Sequence, residues 1–238
     1  GRALPDGLSD IQNGMADIEH HMLHFLDNHD EQRLASPEFA GTPQKGKPLM
    51  VVSTTISTSP TMVYFGQEVG EAGNENAGFG THSRTSIFDY IGVPNHQRWM
   101  NGGKFDGGQL TQEEKELRDF YKRILNFSLN STALMGEYQE IQTVNRQTTQ
   151  GYDPGIYAFT RWSDTQKLVI VTNFSWLSTS NFELKIPSEI IRKWNLKDGN
   201  YTVTDQLYNK SSVQLQVLNG EGKAQITIAP SESFIYQL

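Results

Sequence analysis

The chain of 238 residues has no cysteine, which removes disulfide scaffolds, thiolate zinc and iron–sulfur sites and cysteine nucleophiles together. The redox compartment stays open on that count. Basic residues are also short. Twenty Lys and Arg face 27 Asp and Glu, for a formal charge of −7, and no run of basic residues occurs, so nucleic acid is not an expected partner. Long apolar runs are missing too. The longest, Pro48 to Val52 with the Thr/Ser-rich residues after it, falls far short of the ~20 residues of a membrane span. The chain opens on Gly1-Arg2-Ala3 without Met or a signal-like apolar region. Such a start reads as either artificial or cleaved, the second with a secretion signal removed or lying upstream, and an extracytoplasmic location is slightly favoured over a cytoplasmic one.

With 36% hydrophobic residues, the composition is that of a globular chain able to bury a core. Charge and texture divide it near Asn130 to Met135. Residues 1–130 carry 11 basic and 17 acidic groups, whereas residues 131–238 carry 9 and 10. The first part mixes apolar runs with Gly- and Asn-rich loops; the second alternates β-branched and aromatic runs with turn residues, as an all-β sandwich does.

Met22 to Leu26 reads as a strand buried on both faces before the polar Asp27-Asn28-His29-Asp30, and Thr61 to Phe65 reads as a second strand stopped by Gly66. Between them, Pro48 to Ser59 is Val- and Thr-rich, which favours strand by propensity, but the spacing of the flanking strands predicts a crossover helix. Thr111 and Glu114 make a capping-box pattern ahead of a helix from about Gln112 to Leu129, with Leu117, Phe120, Tyr121, Ile124 and Leu125 on one stripe. Eight strands are expected after it: Glu137–Val144, Gly155–Trp162, Lys167–Asn173, Asn181–Ile186, Tyr201–Asp205, Val213–Val217, Ala224–Ile228 and Ser233–Leu238. A short helix is expected at Ile190 to Leu196.

Three segments are candidates for chemistry: Phe25 to Arg33, Met62 to Glu68, and the loop Gly70 to Gly108 with Arg84-Thr85-Ser86-Ile87-Phe88-Asp89-Tyr90. The first two are apolar strands ending in polar residues, which is where a β/α barrel displays catalytic side chains. At these residues the chain resembles the α-amylase family, glycoside hydrolase family 13. Phe25 to Arg33 resembles the segment at the end of barrel strand seven, closing in Asn-His-Asp, and Thr61 to Glu68 the strand-eight segment ending Tyr-x-Gly-x-Glu. The helix from Gln112, with Phe159 to Trp162 and Val171 to Ser175, resembles the last barrel helix and the C-terminal domain. The implied architecture is α+β: a partial β/α barrel over residues 1–130, holding strands seven and eight with their helices, then an all-β sandwich of about eight strands over residues 131–238.

A complete barrel takes about 250 residues, so the resemblance implies that roughly six strand–helix units lie outside the chain. With them would go the Asp nucleophile, the Glu general acid/base and the family's usual calcium site; no metal or other cofactor is expected in this segment. Retaining hydrolysis needs two carboxyl groups about 5–5.5 Å apart, and only Asp30 matches one of the family's three carboxylates. The implied catalytic role of Asp30 is to stabilise the transition state through the sugar hydroxyls at positions 2 and 3, with His29 a neutral donor beside it. Arg33 is either a surface charge or a brace of the loop, and the resemblance puts it, Arg84 and Asp89 on the substrate-binding side of the cleft. Glu68 is expected to hold the strand end.

His20, His21 and His24 have a spacing that invites a metal, but adjacent residues point apart and a second ligand cluster is missing. Trp99, Trp162, Trp176 and Trp194 are either sugar platforms or core. The implied partner is an α-1,4-glucan. The isolated chain is expected to be inactive and, with its strand edges open, to self-associate. The competing class is a non-catalytic carbohydrate-binding or interaction module; a glucanotransferase-type parent is a further alternative.

Overall fold

The computed structural model describes residues 5–74, 83–85, 87, 88, 92–209 and 211–238. The N-terminal portion opens with helix α1, Asp6–Gly14, and leads to a single parallel β bridge between His24 and Thr61. The His24 N–H donates to Pro60 O (3.0 Å) and the Met62 N–H to His24 O (2.8 Å). Between the two bridge residues runs helix α2, Lys47–Thr55, with Pro48 in its first turn. This is the expected crossover connectivity of a parallel pair. Its strands are shorter than the sequence suggests, since among the described residues a single bridge joins the two segments. Leu23 (49% exposed) and Phe25 (42%) stand out into solvent, so the expected burial of Met22 to Leu26 on both faces does not hold. A parallel strand needs a neighbour on each side, and this pair has only itself among the described residues.

Helix α2 overrides its own composition. The β-branched residues Val51 and Val52, with Met50 and Ile56, are buried, while the Thr54 and Thr55 hydroxyls donate back to Met50 O (2.8 Å) and Val51 O (2.6 Å). Burial of one face and satisfied hydroxyls together outweigh a propensity deficit of a few tenths of a kcal/mol per residue. Helix α3, Pro94–Met100, precedes the long helix α4, Gln112–Asn130, whose capping box has both bonds in place. Leu117, Phe120, Tyr121 and Ile124 form its buried face, as the stripe predicts.

The C-terminal portion has strands β1 Glu137–Glu140, β2 Ile156–Trp162, β3 Lys167–Asn173, β4 Ser180–Ile186, β5 Gly199–Asp205, β6 Ser212–Leu218, β7 Glu221–Ile228 and β8 Ser233–Gln237. They make one antiparallel sheet in the order β1-β2-β3-β8-β5-β6-β7-β4, so the two separate layers of a sandwich are replaced by a single curled sheet. The hinge of the curl is the β5–β8 contact, paired only at Thr204 with Gln237 and Asp205 with Tyr236. Inside the curl, Val169 and Val171 pack with Phe182, Leu184, Val203, Leu215 and Ile226.

The outer face of β2, β3 and β8 is apolar as well. Tyr157, Phe159, Leu168, Ile170 and Ile235 form a second core with Met50 and Val51 of α2 and with Leu117, Phe120 and Ile124 of α4. Strand β2 is therefore buried along its whole length. At the same junction the fully buried Arg161 donates to Ile56 O (2.6 Å), Leu134 O (2.5 Å) and Gly136 O (3.2 Å), closing the C-terminal end of α2 from the sheet.

One predicted strand is overturned in part. Glu137–Val144 stops at Glu140 and continues as helix α5, Gln142–Thr148. Asn145 of that helix donates to Lys185 O (2.9 Å) and accepts from Lys185 N (2.9 Å). It thereby stands in for a neighbouring strand at the edge of β4. The short helix α6, Ser188–Lys193, lies where a helix is expected.

Candidate functional site: the Asn-His-Asp loop and its buried support

The polypeptide leaves the parallel bridge at Leu26 and turns at once. Asn28 Oδ1 accepts the backbone N–H groups of Asp30 (2.8 Å) and Glu31 (2.9 Å), an Asx turn that fixes the loop by local hydrogen bonds. Its consequence is display. The Asp30 and His29 side chains are 78% and 57% exposed, with His29 Nε2 3.3 Å from Asp30 Oδ2.

Behind this loop the opposite condition holds. Asp27 and Arg33 are completely buried, with Asp27 Oδ2 3.8 Å from Arg33 Nη1. Asp27 Oδ2 also accepts the Leu34 N–H (3.0 Å), so one carboxylate ties both ends of the 27–34 loop together. The Arg33 Nε donates to Thr85 Oγ1 (2.7 Å), its backbone N–H donates to Ser83 O (2.8 Å), and its guanidinium lies 4.3 Å from the centre of the Tyr64 ring and 5.0 Å from that of Phe65. One side chain thus joins the Asn-His-Asp loop, the end of the 61–65 segment and the 83–85 segment. Burial pushes the Asp27 carboxyl up and pulls the Arg33 guanidinium down, each opposed by the charge of the other. Asp27 Oδ1 and Arg33 Nη1 and Nη2 have no hydrogen-bond partner among the described residues.

After Phe65 the chain turns through Gly66 (φ 82°), where an added Cβ would lie 3.1 Å from that of Glu71 and 3.3 Å from that of His96. Gln67 is buried and donates to the Tyr121 hydroxyl on α4 (3.0 Å). The buried Glu71 accepts the N–H groups of Asn95 (2.9 Å) and His96 (3.3 Å) at the start of α3, and burial pushes its carboxyl up.

The loop brings His29 and Asp30 together at the surface and leaves Arg33 beneath them, wholly out of solvent, so the surface-charge alternative for Arg33 fails. Arg84 is exposed next to Thr85, and Asp89 lies outside the described residues. The residues that sequence reasoning missed are Asp27 and Thr85, the partners of Arg33. The signal for Asp27 was available, as a carboxylate closing an apolar run has to be either exposed or paired. Nothing local marks Thr85.

Among the described residues no group of three or more His, Asp or Glu side chains could hold a metal ion. His24 Nδ1 is engaged with Ser53 O at 3.1 Å, and the His20 and His21 rings lie 3.9 Å apart. Trp162 and Trp194 are buried against each other, whereas Trp176 is half exposed beneath the Lys45 ammonium. No described helix is long and apolar enough to cross a membrane.

A parallel bridge ending in Asn-His-Asp, a crossover helix, and an antiparallel sheet packed on both through a shared core together make a fold found in α-amylases, the starch-acting glycoside hydrolases. The maltogenic α-amylase AmyB from Thermotoga neapolitana matches with a TM-score of 0.65 at 14% identity, over 100% of this chain and 46% of that one. An AmyP variant in complex with maltotriose matches at 0.65 and 20% identity, over 100% and 45%. The α-amylase from Geobacillus thermoleovorans, complexed with acarbose, matches at 0.64 and 15%, over 99% and 43%. The chain therefore spans less than half the length of these structures. No family model matches it, and neither does any curated protein.

Proposed function

We propose that the chain is the C-terminal portion of an α-amylase-type glycoside hydrolase that cleaves α-1,4-linked glucans with retention, residues 1–130 closing the catalytic barrel and residues 131–238 forming the C-terminal domain. The observation that carries this reading is the placement of Asp30: an exposed carboxylate on a loop locked by Asn28, at the end of a parallel β bridge, over a buried ion pair.

In that role Asp30 accepts hydrogen bonds from two adjacent sugar hydroxyls, bonds that strengthen as the ring flattens toward the oxocarbenium ion. His29 donates to a neighbouring hydroxyl and fixes the ring's register. Arg84 and Asp89 hold the sugar on the donor side. Arg33 acts from below as a brace, and any effect it has on the sugar passes through Tyr64 and the loop.

Asp30 cannot both attack the anomeric carbon and protonate the leaving oxygen. A second and a third carboxylate have to come from the remainder of the enzyme, and any calcium would be held there too. The isolated chain is then inactive. Incubating it with soluble starch should release no reducing sugar, and activity should appear on adding the complementary N-terminal portion. Hydrolysis by the chain alone would overturn the division of the catalytic groups. Binding of starch with no activity in either mixture would favour a non-catalytic module.

A further inference from the structure

The loop 101–108 holds a residue that neither backbone nor core explains. Among the described residues, the non-glycine positions at positive φ are four asparagines, Ser231 and Phe105 (φ 55°). Asparagine tolerates this region; a bulky aromatic there is a strained outlier. The loop needs only the Phe105 backbone. Its N–H donates to Met100 O (2.9 Å) and that of Gly107 to Trp99 O (3.0 Å), closing the end of α3, while Asp106 Oδ1 accepts from Asn101 Nδ2 (2.7 Å) and Gly108 N (2.9 Å). Glycine would do all this without strain. The Phe105 ring is instead 56% exposed.

That ring ends an aromatic series that starts at the candidate site. Tyr64 meets Phe65 (4.7 Å between centroids), Phe65 meets His96 (5.0 Å), His96 stacks on Trp99 (5.5 Å), and Trp99 meets Phe105 edge-on (5.9 Å). Lys104, the residue before Phe105 in the chain, is exposed as well.

We propose that Phe105, backed by Trp99, is a stacking platform for glucose residues of an α-glucan chain, outside the reacting site. The proposal rests on the α-glucan reading above. A pyranose ring has an apolar face of C–H groups and a rim of hydroxyls, and a flat exposed ring backed edge-on by a second aromatic, with the exposed Lys104 next to it in the chain, suits that face. A docked protein helix would instead need several apolar anchors along a groove. Strain of this kind persists where the side chain is used.

Native electrophoresis of the chain through gels with amylopectin tests this, with hydroxyethylcellulose as the β-linked control. The chain should be retarded by amylopectin alone. Phe105→Gly should weaken that retention at least fivefold with an equal or higher thermal midpoint, and Phe105→Tyr should keep it. An unretarded wild-type chain, a Phe105→Gly chain retained as well as wild type, or one whose midpoint falls would each overturn the platform. Failure of the hydrolase reading would show elsewhere, in the turnover of the longer enzyme carrying Asp30→Asn.

Discussion

Arg33 is held out of water with two of its three nitrogens lacking an acceptor among the described residues, an arrangement that only its partners make tolerable. Removing a buried charge's counterpart costs more than the pair itself contributes. Arg33→Met should therefore destabilise the chain by about 3–5 kcal/mol, read as a lowered midpoint in urea. A loss below about 1 kcal/mol, the range of exposed pairs, would mean that Arg33 does not brace the loop. At this scale the polar turn that carries His29 and Asp30 was legible, because Asp27-Asn28-His29-Asp30 directly follows an apolar run. The clamp behind them was not, since Thr85 reaches Arg33 across 52 positions.

Elements with a local signal formed where the sequence puts them. Thr111 and Glu114 predict the start of α4 because a capping box is complete within four residues. Thr111→Ala should cost about 1 kcal/mol by thermal denaturation, and a neutral substitution would deny the cap its role. The Glu114 carboxyl has a linked pH dependence. Burial pushes it up, but the Arg98 guanidinium and the Thr111 N–H outweigh that and bring it below its ordinary 4.5. A carboxyl lowered by folding contributes stability that is present above its unfolded value and lost as the pH falls through the folded one. Wild type should therefore lose stability relative to Glu114→Gln as the pH drops below about 4.5; parallel curves would contradict the linkage. Elements whose fate depends on distant partners were less legible. Residues 22–26 have the composition of a buried strand but, among the described residues, form a single bridge, at Thr61, and Gln142 to Val144 turn helical where Asn145 bonds the edge of β4.

At the level of the whole molecule, β2 and β3 serve two cores, one inside the curled sheet and one against α2 and α4. Alternation in the sequence announces the first. The second appears only as strands with few polar positions, and Arg161, a buried cation on three carbonyls, gave no sequence sign of itself. The same view draws attention to Ile11, Leu23 and Phe25, which are exposed around one apolar groove beside α1 and α2. An uncovered surface of this kind favours association, so the isolated chain should elute earlier from size-exclusion columns as its concentration rises. A strictly monomeric chain at high concentration would count against that expectation.

The most direct measurement concerns the carboxylate on the displayed loop. In the longer enzyme proposed above, Asp30→Asn keeps the shape and the Asn28 turn but removes the charge that, on the proposed reading, meets the developing oxocarbenium ion. The account predicts a kcat on soluble starch lower by on the order of 10²–10³ or more, with the thermal midpoint unchanged. A variant that turns over like the wild type would remove Asp30, and with it the proposed site, from the reaction.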